Sequence, residues 1–280
     1  MTIEEDMITT LDTIAHDTSI TTDPNFTVML ESNDGRIFTH SHGTSSSTTS
    51  YESASTSKLP VAVMILELID RGYLTLNSKP HDIINFWTGE SLVTLRHLLS
   101  FTSGFNGEPA VGQYTDYTNC IQAYYNSAIG SQVTPGTQFY YASSHLQIAG
   151  LMAIVTTGKT WAQLFTDFQT RTGLLLNSQF DLPRLSNPRL AGGMHWIATD
   201  YMTFLRALKY NKRPKDNQPL LSQTNWNEMF NNQRGGATVT SSPIWDRMSE
   251  DWAYGFGNWL ECPTAKTQNS YNCGVRHRNS

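Results

Sequence analysis

The feature that most constrains this chain is the run Leu59–Ile69, apolar on almost every face and interrupted only by Glu67. A helix that is hydrophobic all round has no solvent stripe and must be buried on most sides. The run is too short for the roughly 20 residues that a bilayer requires. Asp70 and Arg71 follow it directly. Pro60 falls in the first helical turn, where its missing N–H is an orphan donor anyway. The run is therefore a core helix. With 280 residues there is enough chain to wrap it as one large domain or two smaller ones.

The segment leading into this helix narrows the reading further. Residues 43–57 are dense in Ser and Thr, a composition that by itself suggests a flexible linker. The segment runs straight into Lys58 and the core helix, which fits an approach loop to a site better than a linker. Ser55 and Lys58 stand three residues apart, so their side chains share one helix face. A serine hydroxyl is a poor nucleophile without a base. A lysine can be that base once burial or a neighbouring cation lowers its pKa. The N–H groups and dipole of a helix N-terminus favour charge developing on such a serine. The plainer alternative is a capping Ser beside a solvated Lys. A position at the mouth of the most apolar helix favours the nucleophile.

Periodicity sketches the rest. Ile8, Leu11 and Ile14 mark an amphipathic helix over 4–17. Phe26–Leu30 and Arg36–Phe38 read as strands around the Asn33-Asp34-Gly35 turn, a hairpin signal. From 76 to about 245 the pattern is mostly helical, clearest at 91–100, 144–156, 160–172 and 198–210. Strand character returns at 252–261. The expected fold class is α/β: an antiparallel sheet flanked by helices, from residues 1–75 and 246–280, with an all-helical domain (76–245) inserted. Pro135-Gly136 makes a turn, and an aromatic cluster with Phe139 and Tyr141 precedes a helix from Ser144. A tyrosine so placed can carry a proton, or it is a buried aromatic with a satisfied hydroxyl.

Charge and cysteines set outer limits. Net charge is −5 with a pI near 5.9 and no basic stripe, which argues against a nucleic-acid partner. The acidic start, Met1-Thr-Ile-Glu-Glu-Asp, lacks signal-peptide features, so the protein is intracellular or its leader has been removed. Cys262 and Cys273 flank a polar segment, compatible with a disulfide-closed loop in an oxidising compartment or with two free thiols. Cys120 reads as a small buried hydrophobe. Asn25-Phe-Thr27 is a glycosylation triplet of a kind common by chance. His40 and His42 could face one way on a strand, but no third ligand stands at sensible spacing. They read as surface histidines, and no metal or other cofactor is expected. No Gly-x-Ser-x-Gly elbow occurs.

Ordered motifs carry a resemblance to a known family. Ser55-Thr-Ser-Lys58-Leu with Glu67-Leu-Ile-Asp-Arg-Gly72-Tyr-Leu resembles the nucleophile helix, and the turn after it, of the class C β-lactamase, DD-peptidase and family VIII esterase group. Val93-Thr-Leu-Arg96-His97-Leu-Leu-Ser-Phe-Thr102-Ser103-Gly104-Phe is similar to its "TIRHLLTHTSGL" signature. Pro135-Gly136 through Phe139, Tyr141 and Gly150 resembles its tyrosine motif. Ala191-Gly192-Gly193 with Thr199-Asp200 resembles its "GGL…T..D" helix entry, and Tyr254-Gly-Phe-Gly257-Asn-Trp its "YGLGW" strand.

The resemblance implies a serine hydrolase of small-molecule esters, amides or peptides. Ser55 would attack the acyl carbon, its N–H would supply half of the oxyanion hole, and Lys58 and Tyr141 would share the proton work. The tyrosine motif commonly reads Tyr-x-Asn; here Ser143 replaces the Asn as the substrate-binding candidate, which tilts the reading from β-lactamase toward esterase or peptidase. The third motif, Lys-Thr-Gly or His-x-Gly, has only imperfect candidates. Lys266-Thr267-Gln268 and His277-Arg-Asn279 both lack the Gly. His277 is the second substrate-binding candidate. The family's remaining strands are not in the 280 residues, so a separate or cleaved C-terminal piece is expected to complete the sheet. A secreted or periplasmic location is expected. Two alternatives stand beside the esterase. One is a D-amino-acid peptidase or β-lactam-binding enzyme; the other is a catalytically idle relative serving as a binding or structural protein.

Overall fold

Two helices without a solvent stripe form the centre of the molecule, and the other elements pack around them. The computed structural model describes residues 2–20, 22–129 and 133–261. Its elements begin with α1 (Ile3–His16), β1 (Phe26–Glu31), β2 (Ile37–His42), β3 (Tyr51–Glu52), a 3-10 turn (Ala54–Ser57) and α2 (Lys58–Asp70). Next come α3 (Pro80–Ile83), α4 (Leu95–Leu99), α5 (Tyr117–Ala128), β4 (Gln138–Tyr140), α6 (Ser144–Thr157) and α7 (Trp161–Thr172). The chain continues through β5 (Gln179–Phe180), β6 (Met194–Trp196), α8 (Ala198–Tyr210), α9 (Gln223–Met229), β7 (Thr238–Ser241), α10 (Pro243–Met248), β8 (Ala253–Tyr254) and β9 (Trp259–Leu260).

The core helix forms as its composition requires. Val61, Ala62, Val63, Ile65 and Leu66 of α2 are fully buried. Its partner α6 is buried from Ser144 through Ala153. Polar groups on α2 tie it to its surroundings. Glu67 accepts two hydrogen bonds from Arg171 of α7, at 2.9 and 2.8 Å. Asp70 accepts from the Ser222 N–H at 2.7 Å and from Asn225 Nδ2 at 2.6 Å. A buried carboxylate held by a bidentate guanidinium keeps its charge compensated.

The hairpin forms where expected. Strands β1 and β2 pair antiparallel from Phe26↔His42 to Glu31↔Ile37, and Gly35 takes the positive φ of the turn at +84°. Glu31 joins it to α8 through Arg206 at 2.8 Å. His40 and His42 are half-buried rather than on the surface: His40 Nε2 lies 2.9 Å from Asp12 Oδ1, and His42 Nδ1 lies 2.8 Å from the Pro24 carbonyl.

Two stretches depart from their expected form. Only Leu95–Leu99 of 91–100 is helical. Thr94 caps this short helix, its side chain accepting from the His97 N–H while the His97 ring returns to the Thr94 N–H. Phe101, at φ +60°, ends it. The strand expected at 252–261 is two short strands, β8 and β9, closed by a turn through Gly257. The stretch 76–245 also carries strands β4 to β7 among its helices. Strand β6 joins β3 and β5 in one antiparallel sheet, so residues on both sides of position 75 share it, whereas β4 and β7 pair parallel. Cys120 is buried and unpaired. Cys262, Cys273, Lys266 and His277 lie outside the described residues.

The Gly257 turn rests on the first turn of α2. Gly257 adopts φ +75°, and a Cβ there would lie 2.7 Å from both the Lys58 carbonyl oxygen and Ala62 Cβ. Gly257→Ala combines left-handed strain with overpacking, so it is expected to cost about 1–3 kcal/mol. The midpoint of urea unfolding checks this; an unchanged midpoint would show that the turn does not press on α2.

Candidate active site

Backbone and side-chain hydrogen bonds fix the Ser55 segment from several sides. The Ser53 N–H donates to the Met194 carbonyl at 2.7 Å, and the Met194 N–H returns to Ser53 Oγ at 3.2 Å. Ser57 Oγ donates to the Leu190 carbonyl at 2.9 Å. The Tyr201 hydroxyl donates to the Thr56 carbonyl at 2.9 Å. Between these ties, Ala54 sits at φ +43°, a left-handed conformation uncommon for a residue with a Cβ. This bend starts the 3-10 turn that presents Ser55 to solvent while Ser57 and Lys58 turn inward.

Lys58 is only 4% exposed although it opens α2. Its Nζ donates to the Ala191 carbonyl at 2.6 Å and lies 2.9 Å from Ser55 Oγ. Burial pushes its pKa down to about 8; the Glu108 carboxylate pulls the other way, and the Arg189 guanidinium adds to the lowering. The same Nζ lies 4.7 Å above the Tyr141 ring. Burial raises the Tyr141 pKa, while hydrogen bonds with Ser55 and Trp259 partly offset that rise. Tyr141 is therefore a phenol near neutrality, and Lys58 is the group closest to losing a proton.

An aromatic wall holds Tyr141 in place. Trp259 stacks on it with centroids 5.3 Å apart, Phe101 tilts against it at 5.4 Å and Tyr254 meets it edge-on at 6.3 Å. The cleft in front has a volume of about 380 Å³ and is lined by Ser55, Lys58, Tyr141 and Ser143 together with Glu52, Glu108, Arg189 and Gly192. Four of the five site residues expected from sequence thus meet in one place; the fifth, His277, is outside the described residues. Ser143 is the N-cap residue just before α6, and its N–H donates to Glu108 Oε1 at 2.9 Å. Among the described residues no group of three or more His, Cys, Asp or Glu side chains could hold a metal ion.

Glu52, Glu108, Arg189 and Trp259 were not singled out by sequence. The two glutamates and the arginine are ordinary members of 24 acidic and 19 basic residues, with no local pattern to mark them. Trp259 closes the Tyr254-Gly-Phe-Gly257-Asn-Trp motif, but its contact with Tyr141 spans more than a hundred positions and leaves no periodic trace.

The profile of the Beta-lactamase family matches residues 27–269. The chain belongs to the Beta-lactamase family. Penicillin-binding protein 4 of Amycolatopsis lactamdurans is 28% identical over 142 residues, which are 48% of this chain and 36% of that relative. The match therefore spans about a third of the relative's own length. The crystal structure of a putative β-lactamase from Bacteroides dorei DSM 17855 superposes with a TM-score of 0.73 at 26% identity, covering 84% of this chain and 73% of the other. D-amino acid amidase from Ochrobactrum anthropi SV3 shares the fold, with a TM-score of 0.70 at 16% identity over 92% of this chain and 82% of the other.

In this Beta-lactamase family member a buried histidine supports the tyrosine segment. His145 Nδ1 lies 2.8 Å from Ser103 Oγ and Nε2 lies 2.9 Å from the Tyr140 carbonyl. Its ring stacks on Phe101 at 4.9 Å. Nε2 donates to the carbonyl, so the neutral ring accepts from Ser103 at Nδ1. Burial pushes the His145 pKa down to about 4. An unfolded histidine takes a proton near 6.5. The folded state binds fewer protons between these values, so stability is intact above 6.5 and falls as pH drops toward 4. His145→Gln is expected to flatten this dependence by the slope of one proton. Urea unfolding of both proteins from pH 7 to 4 measures it; parallel profiles would refute the assignment.

Proposed function

We propose that the protein is a serine hydrolase that cleaves an ester or amide through an acyl-enzyme on Ser55. The observation that carries this reading is the buried Lys58 amine 2.9 Å from Ser55 Oγ, with a pKa brought down to about 8. A lysine in that state exchanges a proton near neutral pH, which general-base catalysis needs.

In this reading neutral Lys58 takes the Ser55 proton as Oγ attacks the acyl carbon. Its own N–H stays on the Ala191 carbonyl at 2.6 Å, which keeps the lone pair aimed at the serine. The Ser55 N–H has no hydrogen-bond partner among the described residues and is free to meet the developing oxyanion. Tyr141, a phenol at this pH, passes a proton toward the leaving group, and water then releases the acyl group by the reverse route. Ser143 offers a single hydroxyl to the substrate. That suits an ester or simple amide better than a β-lactam.

Three measurements test the reading. Ser55→Ala is expected to abolish labelling by a fluorophosphonate probe; continued labelling would assign the nucleophile elsewhere. Lys58→Ala is expected to lower kcat/KM on p-nitrophenyl butyrate by roughly a hundred- to ten-thousand-fold. For the native enzyme kcat/KM should rise with pH to a plateau above about 8, as Lys58 loses its proton. A profile that is flat from pH 6 to 9 would remove Lys58 as the base. Turnover of short-chain aryl esters, D-Ala peptides and a chromogenic cephalosporin, compared side by side, ranks the substrate classes.

A further inference from the structure

Lys58 and Arg189 are the cations that line the cleft among the described residues, and the proposed chemistry uses only the first. The Arg189 backbone is held firmly. Its N–H donates to the Leu182 carbonyl at 2.7 Å, and its carbonyl accepts from Gly192 at 3.2 Å and Gly193 at 2.6 Å. Its side chain is exposed. Other arginines are already committed to carboxylates: Arg171 to Glu67, Arg206 to Glu31 and Arg234 to Asp251. No carboxylate among the described residues lies within ion-pairing distance of Arg189. A rigid backbone that presents an unpaired guanidinium to a cleft beside a nucleophile is the arrangement of a ligand contact.

We propose that Arg189 forms an anion subsite that binds a carboxylate carried by the substrate, a specificity that rests on the Ser55 hydrolase reading. The planar fork of the guanidinium matches a carboxylate in two parallel hydrogen bonds. Glu52 and Glu108 line the same cleft, and Glu108 is engaged by the Ser143 N–H at 2.9 Å. These two carboxylates disfavour an anion elsewhere along the glutamate-lined part of the cleft. The glutamates therefore orient the substrate by repulsion while Arg189 binds it. Arg189 lines the same cleft as Ser55 and Lys58, and its charge adds to the lowering of the Lys58 pKa.

The test compares matched esters. On the acyl side these are p-nitrophenyl butyrate and mono-p-nitrophenyl succinate; on the leaving-group side, phenyl butyrate and 3-carboxyphenyl butyrate. The readout is the ratio of kcat/KM for the anionic over the neutral member, in the native enzyme and in Arg189→Gln, Arg189→Lys and Arg189→Glu. Taking a ratio cancels whatever Arg189 does to both substrates through Lys58. The expected result is a fall of about tenfold in one of the two ratios for Arg189→Gln, a typical size for a charge-assisted contact. Arg189→Lys should retain part of the ratio and Arg189→Glu should fall further. Ratios unchanged in both pairs would overturn the proposal, as would a native preference for the ammonium-bearing p-nitrophenyl 4-aminobutyrate over both other esters. The same esters are titrated calorimetrically into Ser55→Ala and Ser55→Ala/Arg189→Gln, where no chemistry is needed. If the native enzyme cleaves no ester and takes no probe, the hydrolase reading fails, and these binding ratios still decide the subsite.

Discussion

Burying an amine is unfavourable unless its charge is compensated or given up, and this fold buries Lys58 in the first turn of its most apolar helix. The solution has two parts. One carbonyl, from Ala191, accepts from Nζ, and the surroundings lower the pKa until the neutral amine is within reach at ordinary pH. Much of the nearby structure is arranged around that residue. The Ala54 bend, the ties of Ser53 and Ser57 to residues 190–194, and the Gly257 turn on the Lys58 carbonyl all fix the start of α2.

Ion pairs and backbone hydrogen bonds seat the segment that carries the aromatic wall. Arg234 and Asp251 pair at 2.6 Å, with side chains 2% and 6% exposed. The Gln233 N–H meets the Tyr254 carbonyl at 2.8 Å, and the Phe256 N–H meets the Met229 carbonyl at 3.1 Å. These contacts seat β8 and its turn, which in turn place Tyr254 and Trp259 against Tyr141. Arg96 reaches Glu228 at 2.9 Å and lies 5.8 Å from the Phe256 ring, so the short helix α4 also contacts this turn. A buried ion pair adds little net stability but is costly to break. Its effect here is to fix where the wall stands.

Legibility in the sequence followed the range of the interactions. The long helices α2, α6, α7 and α8 repeat an apolar pattern over three turns or more, and their expected bounds fall within a residue or two of those observed. The hairpin was equally plain, because its turn residues are local. The stretch at 91–100 misled: a single capping threonine at 94 and the Phe101 bend cut the helix to five residues, and apolar Val93 is buried just outside it. Strands β4 to β7 are two to four residues long and take their partners from distant segments, so they leave little periodic signal.

By itself the sequence determined the core helix α2, the pairing of Ser55 with Lys58 on one face and the candidacy of Tyr141, because spacing and apolar patterning act over a few residues. The tertiary structure decided what those residues can do. Only folding brings the Ala191 carbonyl 133 positions along the chain to Lys58, buries that amine and sets Trp259 against Tyr141. Only folding places Glu108 and Arg189 at the same cleft. A proton affinity is a property of surroundings. The surroundings of Lys58 are assembled from parts of the chain that no local pattern connects.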